Sequence, residues 1–407
     1  MKKTIAIITT LDTKGEEAAY LRQQLHKLGA ETVLIDIGVV GEPGVVPDIT
    51  RQQIAEAGGA SLESMLVAPS RKEASPIMDA GAIALISEMV AAGKIDGIVG
   101  LGGSQGTSNC TAVMRLLPYG FPKIMVSTVA SGDTSSFVDI KDITMMFSVG
   151  DILGLNNLMR AILANAAGAA YGMALVDTSF TSVRGSKPTI GMTNLGVLTE
   201  GAMYAMELLR KRGFEVIVFH AVGSGGRAME QLMREGVIDA VFDYALGELS
   251  DELFGGFRAG GAERLTVGAE LGLPQIIVPG GAEHIGLFVE PDSIPPEYDG
   301  RPYTFHNPII YVPRLNASEM KQLAEEIAKR LSGVKGQIKV LLPLQGVGRY
   351  SVEGGPLYDP ECDQIFIEHL KSVLPKAVDV IEIDAGAEDP VFIEACVDEL
   401  CALINDA

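Results

Sequence analysis

The chain has 407 residues, 47% of them hydrophobic and 21% charged; that apolar content is too high for a solvated coil, and the length suits two or three folded domains. With 32 basic against 52 acidic residues the formal charge is −20, which repels phosphate backbones and argues against a nucleic-acid partner. The four cysteines (Cys110, Cys362, Cys396 and Cys401) form no Cys-x-x-Cys pair and read as reduced thiols of a cytoplasmic protein.

At the N-terminus Lys2, Lys3 and the apolar run Ile5–Ile8 are too short for a signal peptide and are followed by Asp12, Lys14, Glu16 and Glu17; they read as a first strand. No stretch of about 18 uncharged apolar residues occurs, so no membrane association is expected. Short Val- and Ile-rich runs without strict alternation predict strands over Thr4–Thr9, Thr32–Ile37, Ile95–Leu101, Lys123–Ser127, Thr189–Thr193, Glu215–His220, Ala240–Asp243, Gln275–Val278, Lys339–Leu342 and Val378–Ile383. Between them, helical patterns cover Lys14–Leu28, Pro76–Ala92, Ser104–Leu117, Leu155–Ala170, Glu200–Arg212 and Ala317–Leu331. Strand and helix in alternation predict an α/β fold of mainly parallel, open sheets with helices on both faces.

The second half repeats the plan of the first. A strand at Thr4, a helix ended by Gly29 and a strand from Glu31 are matched by a strand at Thr189, a helix ended by Gly213 and a strand from Glu215. Each half then carries a glycine-rich turn, Gly102–Ser108 and Gly223–Gly226. Two Rossmann-like subdomains are therefore expected, 1–180 and 181–407, joined through the polar segment Asp177–Lys187.

The sharpest motif is Ile98-Val-Gly-Leu-Gly-Gly-Ser-Gln-Gly-Thr-Ser108, a strand running into glycines and then a helix. The glycines let backbone N–H groups converge on the positive end of a helix, which favours an anion. Gly102, Gly103, Ser104, Gln105, Gly106, Thr107 and Ser108 are the phosphate-binding candidates. No Lys-Ser or Lys-Thr follows, so this is not a Walker A loop, and Gly-x-Gly-x-x-Gly is not matched. A tight turn serving helix packing alone is the plain alternative. Neighbouring strand ends add Asp12, Thr13 and Lys14, then Asp36, then Ser131, Gly132 and Asp133. Lys14 would supply a cation, Asp12 or Asp133 would hold Mg²⁺, and Asp36 would accept from a ribose. Each Asp at a helix start also reads as an N-cap. A nucleoside triphosphate fits these loops best.

These loops resemble a little-characterised bacterial, fungal and plant family that includes the N-terminal domain of the tomato mosaic virus resistance protein. The resemblance spans essentially the whole chain and rests on Thr10–Glu16, Gly100–Ser108, Ser127–Asp133, Phe219–Glu230 and His306–Pro308. It implies two Rossmann-like subdomains, ATP in the N-terminal one, and self-association, commonly as a homodimer. The C-terminal half departs from the family pattern at Pro279–His284 and at Gly348.

That half has a polar cluster of its own. His220, Glu248, Asp251, Arg258 and His306 are the catalytic candidates, since histidine beside carboxylates suits proton transfer. Gly225, Gly226, Arg264 and Arg314 suit a second, anionic ligand. A zinc site from His220, His284, His306 and Glu248 lacks any short-range ligand spacing, and no metal other than Mg²⁺ with the nucleotide is expected. Val222-Gly-Ser-Gly-Gly226 misses the spacing of a nucleophile elbow by one residue. Arg227, Glu230 and Arg234, at i, i+3 and i+7, predict a solvated ion-paired helix face. Three functions stay open: an ATP-binding protein of undefined catalytic role, a transferase or hydrolase of a small acidic metabolite in the C-terminal lobe or the interlobe cleft, and a nucleotide-gated protein-binding module.

Overall fold

A computed structural model describes residues 2–67, 71–176 and 187–406. The predicted polar linker therefore lies, but for Lys187, outside the described residues. The chain divides into two compact units, Met1–Val183 and Arg184–Ala407.

In the first unit β1 (Thr4–Thr9), β2 (Glu31–Asp36), β3 (Gly97–Gly102), β4 (Lys123–Ser127) and β5 (Thr144–Phe147) form one parallel sheet in the order β2-β1-β3-β4-β5. Its central strands are apolar on both faces because helices cover both. On one side Leu21 and Leu25 of the helix Leu11–Leu28 and Leu163 and Ala167 of Asn157–Leu175 meet Ile5, Ile7 and Val99. On the other, Met78, Ala82 and Ile86 of Arg71–Ala91 and Val113 of Ser104–Met114 meet Ala6, Ile8 and Ile98.

The second unit uses the same order of connection. Its parallel sheet contains β6 (Thr189–Asn194), β7 (Glu215–His220), β8 (Ala240–Ala245) and β9 (Gln275–Gly280). The short strands β10 (Leu287–Phe288), β11 (Tyr303–Asn307) and β12 (Ile310–Pro313) make a separate antiparallel sheet before β13 (Ile338–Pro343) and β14 (Val378–Ile383) rejoin the main one. The main order, β7-β6-β8-β9-β13-β14, repeats that of the first unit with one strand more. Two apolar cores again lie on opposite faces.

The expected fold class is thus the observed one. β5 and the small antiparallel sheet were not anticipated: their residues are short runs, half-exposed at β5 and β11, and lack the buried Val/Ile signature. Among the described residues, two helices reach the length and hydropathy of a membrane span, Ala74–Ala91 (mean hydropathy 1.3) and Asn157–Leu175 (1.2). Both carry charges, Asp79 and Glu88 in one and Arg160 in the other, and both lay a face on the first sheet. The four cysteines are unpaired, and Cys110, Cys362 and Cys396 are buried.

Candidate functional site

In an open α/β sheet the loops at the carboxyl ends part where the chain reverses its direction of travel across the sheet. In the first unit that point lies between β1 and β3. A cavity of about 630 Å³ opens there, lined by Thr10, Asp12, Thr13 and Lys14 after β1, by Ile37–Val40 after β2, and by Gly102–Gly106 after β3. Ala74, Ser75 and Met78 of Arg71–Ala91 close one side, with Asn109.

The helix Ser104–Met114 starts at Gly103 without a side-chain cap. Its first internal bond is Thr107 N–H to the Gly103 carbonyl, 2.8 Å. The N–H groups of Ser104, Gln105 and Gly106 have no acceptor among the described residues, and all three residues line the cavity. Glycine at 102 is a steric requirement, since a Cβ there would lie 2.6 Å from the Gly106 Cα. At Gly103 a Cβ would meet nothing closer than Thr128 Oγ1 at 3.7 Å.

Asp12, Thr13 and Lys14 share the cavity with these amides. Lys14 Nζ donates to the Ile152 carbonyl, which anchors the ammonium beside the loop. Gln105 Nε2 donates to Asn109 Oδ1 (2.7 Å), which also accepts from Ser75 Oγ (3.0 Å). Ser75, Asn109 and the apolar wall of Ile37, Val39 and Met78 had no motif to betray them; they come together only through the helix pairing.

Other expected residues stand elsewhere. Asp36 is 1% exposed and does not line the cavity. Its Oδ1 accepts from the amides of Leu11 (3.0 Å) and Gly38 (2.9 Å), tying two loops together, and burial pushes its carboxyl up; it is a clamp rather than a ribose acceptor. Thr107 is buried, its hydroxyl 2.6 Å from Ser127 Oγ, and Ser108 is exposed outside the cavity. Ser131 and Gly132 also lie outside it, and Asp133 accepts from Ser135 N–H at 2.9 Å, holding the turn into Ser135–Val138.

The glycine turn of the second unit follows β7, the counterpart of β2 in the shared strand order, and its helix start is closed from within. Gly223 precedes Ser224–Arg234, and Glu248 Oε1 accepts from the amides of Gly223 (2.6 Å) and Gly226 (3.1 Å). Glu248 Oε2 accepts from Arg264 Nε (2.7 Å), and Arg264 also holds Asp243 (2.5 and 2.7 Å); Glu248 and Arg264 are fully buried. Burial outweighs the guanidinium and pushes the Glu248 carboxyl up. A Cβ on Gly226 would sit 2.0 Å from Glu248 Oε2, and one on Gly225 would sit 1.8 Å from the His220 carbonyl oxygen. Gly225, Gly226 and Arg264 are therefore packing partners of an internal carboxylate, and Glu248 lines neither the cavity of the first unit nor the pocket that holds His220. Glu230, expected on a solvated face, is 3% exposed, accepts from the Leu265 amide and lies 3.8 Å from Arg264. Arg314 is 1% exposed and donates to Asp363 (2.5 Å) and to the carbonyls of Leu357 and Asp359, with its Nε left without a hydrogen-bond partner among the described residues.

Three other candidates, His220, Arg258 and His306, do share a pocket, of about 210 Å³, with His284 and Tyr350. Asp251 stands behind it, fully buried, holding Arg258 by two bonds of 2.8 and 2.9 Å. Among the described residues no group of three or more His, Cys, Asp or Glu side chains is placed to hold a metal.

A family model described as the N-terminal domain of the uncharacterised protein family UPF0261 matches residues 3–179, and its C-terminal-domain counterpart matches 187–404. The chain belongs to this family. It is 39% identical to a UPF0261 protein of Clostridium tetani over the full length of both, and 36% identical to one of Rhizobium meliloti over 97% of this chain and 98% of that protein. The ToMV resistance protein Tm-1 of Solanum lycopersicum is 36% identical over 75% of this chain and 41% of its own. Among solved structures, a putative UDP-N-acetylglucosamine 2-epimerase from Listeria monocytogenes aligns at 11% identity and TM-score 0.25, covering 68% of this chain and 79% of that one. A likeness that slight carries no argument about function.

Proposed function

We propose that the first unit of this UPF0261 protein binds ATP with Mg²⁺, its phosphates resting on the start of Ser104–Met114. The observation that carries this reading is the set of three N–H groups, Ser104 to Gly106, without an acceptor among the described residues and belonging to residues that line the cavity. An uncapped helix start of this kind supplies donors and a positive dipole end for phosphate oxygens. Lys14 adds a positive charge beside them, and Asp12 is the carboxylate within the same cavity for the metal. Ile37, Val39 and Met78 form an apolar wall suited to a base. A volume of about 630 Å³ lies inside the roughly 300–1,000 Å³ of sites for ligands of this size.

Thermal denaturation tests the reading. At a hundredfold excess over Kd, Mg²⁺–ATP stabilises the native state by about 2.7 kcal/mol and raises the melting temperature by several degrees. Gly103→Val leaves the fold standing, because the new Cβ makes only an ordinary contact with Thr128 Oγ1 at 3.7 Å, but sets an isopropyl group against the amides. Loss of the shift in that variant is the expected outcome. An equal shift in G103V, or no shift in the parent protein, removes the loop from nucleotide binding.

A further inference from the structure

The pocket of the second unit lies where the first unit has its cavity, at the carboxyl ends of β6 and β7 beside the reversal between β6 and β8. After β6 the chain makes a 3₁₀ turn, Gly196–Leu198, that runs directly into the thirteen-residue helix Thr199–Lys211. Leu195 precedes the turn and offers no side-chain cap. Leu198 N–H returns to the Leu195 carbonyl at 2.9 Å, whereas the N–H groups of Gly196 and Val197 have no acceptor among the described residues. Gly196 and Val197 both line the pocket. The long helix itself is already closed, since the amides of Glu200 (3.0 Å) and Gly201 (3.5 Å) donate to Glu388 Oε1, so the free donors are the two amides of the turn that precedes it.

A second, independent donor is Arg258, 5% exposed and lining the same pocket. Four of its five N–H groups are accounted for: Nε and Nη2 on Asp251, Nη2 on the His284 carbonyl (3.1 Å), and Nη1 on His284 Nε2 (3.3 Å). The remaining Nη1 hydrogen has no protein acceptor among the described residues. Because a guanidinium faces Nε2, that nitrogen accepts, and the His284 hydrogen sits on Nδ1, 3.1 Å from buried Glu283. Asp251 thereby fixes Arg258 from behind, and Glu283 lies beside His284 Nδ1 without a hydrogen bond to it.

We propose that this pocket is the seat of a small organic monocarboxylate, its carboxylate on the Gly196 and Val197 amides and the spare Nη1 hydrogen of Arg258. A doubly charged phosphate group is disfavoured. Arg258 is the one cationic side chain lining the pocket, Asp251 already neutralises it, and Glu283 adds negative charge behind His284. Leu195, Val222, Ile310 and Val312 give the ligand's body apolar walls, and about 210 Å³ admits only a small one. His220 and His306 complete the rim. The His220 Nδ1–H points to the Asn194 carbonyl at 3.3 Å, which leaves Nε2 as a proton acceptor; His306 Nδ1 is 3.2 Å from the Tyr350 hydroxyl.

Acetate and pyruvate are the probes, with pyruvamide as the neutral counterpart and inorganic phosphate as the dianion, followed by saturation-transfer NMR and calorimetry on the full chain. Both carboxylates bind, and pyruvamide and phosphate bind at least tenfold more weakly. Gly196→Val weakens pyruvate at least tenfold; a Cβ there lies 3.7 Å from His306 Cε1, with nothing closer to disturb the fold. Arg258→Gln does the same, and if its melting transition shows that it fails to fold, the Gly196 variant decides alone. Both variants keep the ATP-dependent melting shift, since no residue of this pocket belongs to the first unit. No binding of either carboxylate, equal binding of pyruvamide or phosphate, or unchanged affinity in G196V overturns the assignment.

Discussion

Glu230 is the residue whose environment departs furthest from its sequence context. Its spacing from Arg227 and Arg234 gives the correct helix but the wrong face, because the helix turns Glu230 inward beneath Arg264. Burial pushes its carboxyl up to about 7, outweighing Arg264 and the Leu265 amide. A carboxyl raised in this way holds its proton more tightly folded than unfolded. Its contribution is complete below about pH 4.5 and is lost as pH climbs through about 7, a swing of about 3 kcal/mol at most. Asp363, pushed up to about 6 by burial, acts in the same direction. Glu230→Gln keeps an acceptor for Leu265 and removes the titration. Its melting temperature should therefore fall less than the parent's between about pH 5 and pH 8. Parallel curves for the two proteins would mean that Glu230 does not titrate in that window.

At the scale of elements, the informative comparison is between helix starts of similar sequence and opposite fate. Ser104–Met114 and Ser224–Arg234 both follow a glycine N-cap and have no side-chain cap of their own. One opens on a cavity; the other has Glu248, 22 residues beyond Gly226, against its amides. The glycine turns were legible because close backbone approach admits no other residue at Gly102 or Gly225. The plug was not, since no local pattern says that a carboxylate from the next strand's loop will fold back. Removing it is costly: Glu248→Ala leaves Gly223 and Gly226 N–H and Arg264 Nε short of an acceptor, and breaking a buried pair costs about 3–5 kcal/mol. Glu248→Gln, which retains an acceptor, should lose much less. Denaturant midpoints of the two variants check this; equal losses would assign the stability to the charge, which both variants remove, rather than to the shape and acceptor that glutamine keeps.

For the whole molecule, one plan of parallel sheet occurs twice, and its two points of reversal are used differently. The alternation of Val- and Ile-rich runs with helical periods was enough to read both sheets, because strands covered on two faces must be apolar throughout. It was not enough to read which loops meet. Asp36 and Asp133 sit at strand ends like true ligands, yet their carboxylates are taken by nearby amides, Leu11 and Gly38 in one case and Ser135 in the other. Ser75 and Asn109, by contrast, reach the cavity from helices that the sequence places correctly but does not pair. The same asymmetry fixes a stoichiometry. Among the described residues, the first unit pairs an open glycine turn with a cavity near 630 Å³, whereas the second keeps its glycine turn filled by Glu248 and has a pocket of about 210 Å³, too little for a nucleoside triphosphate. Equilibrium dialysis with Mg²⁺–ATP should therefore saturate at one nucleotide per chain, and Gly103→Val should abolish that one. Two per chain in the parent, with one surviving in the variant, would mean that the second unit accepts a nucleotide despite its internal carboxylate.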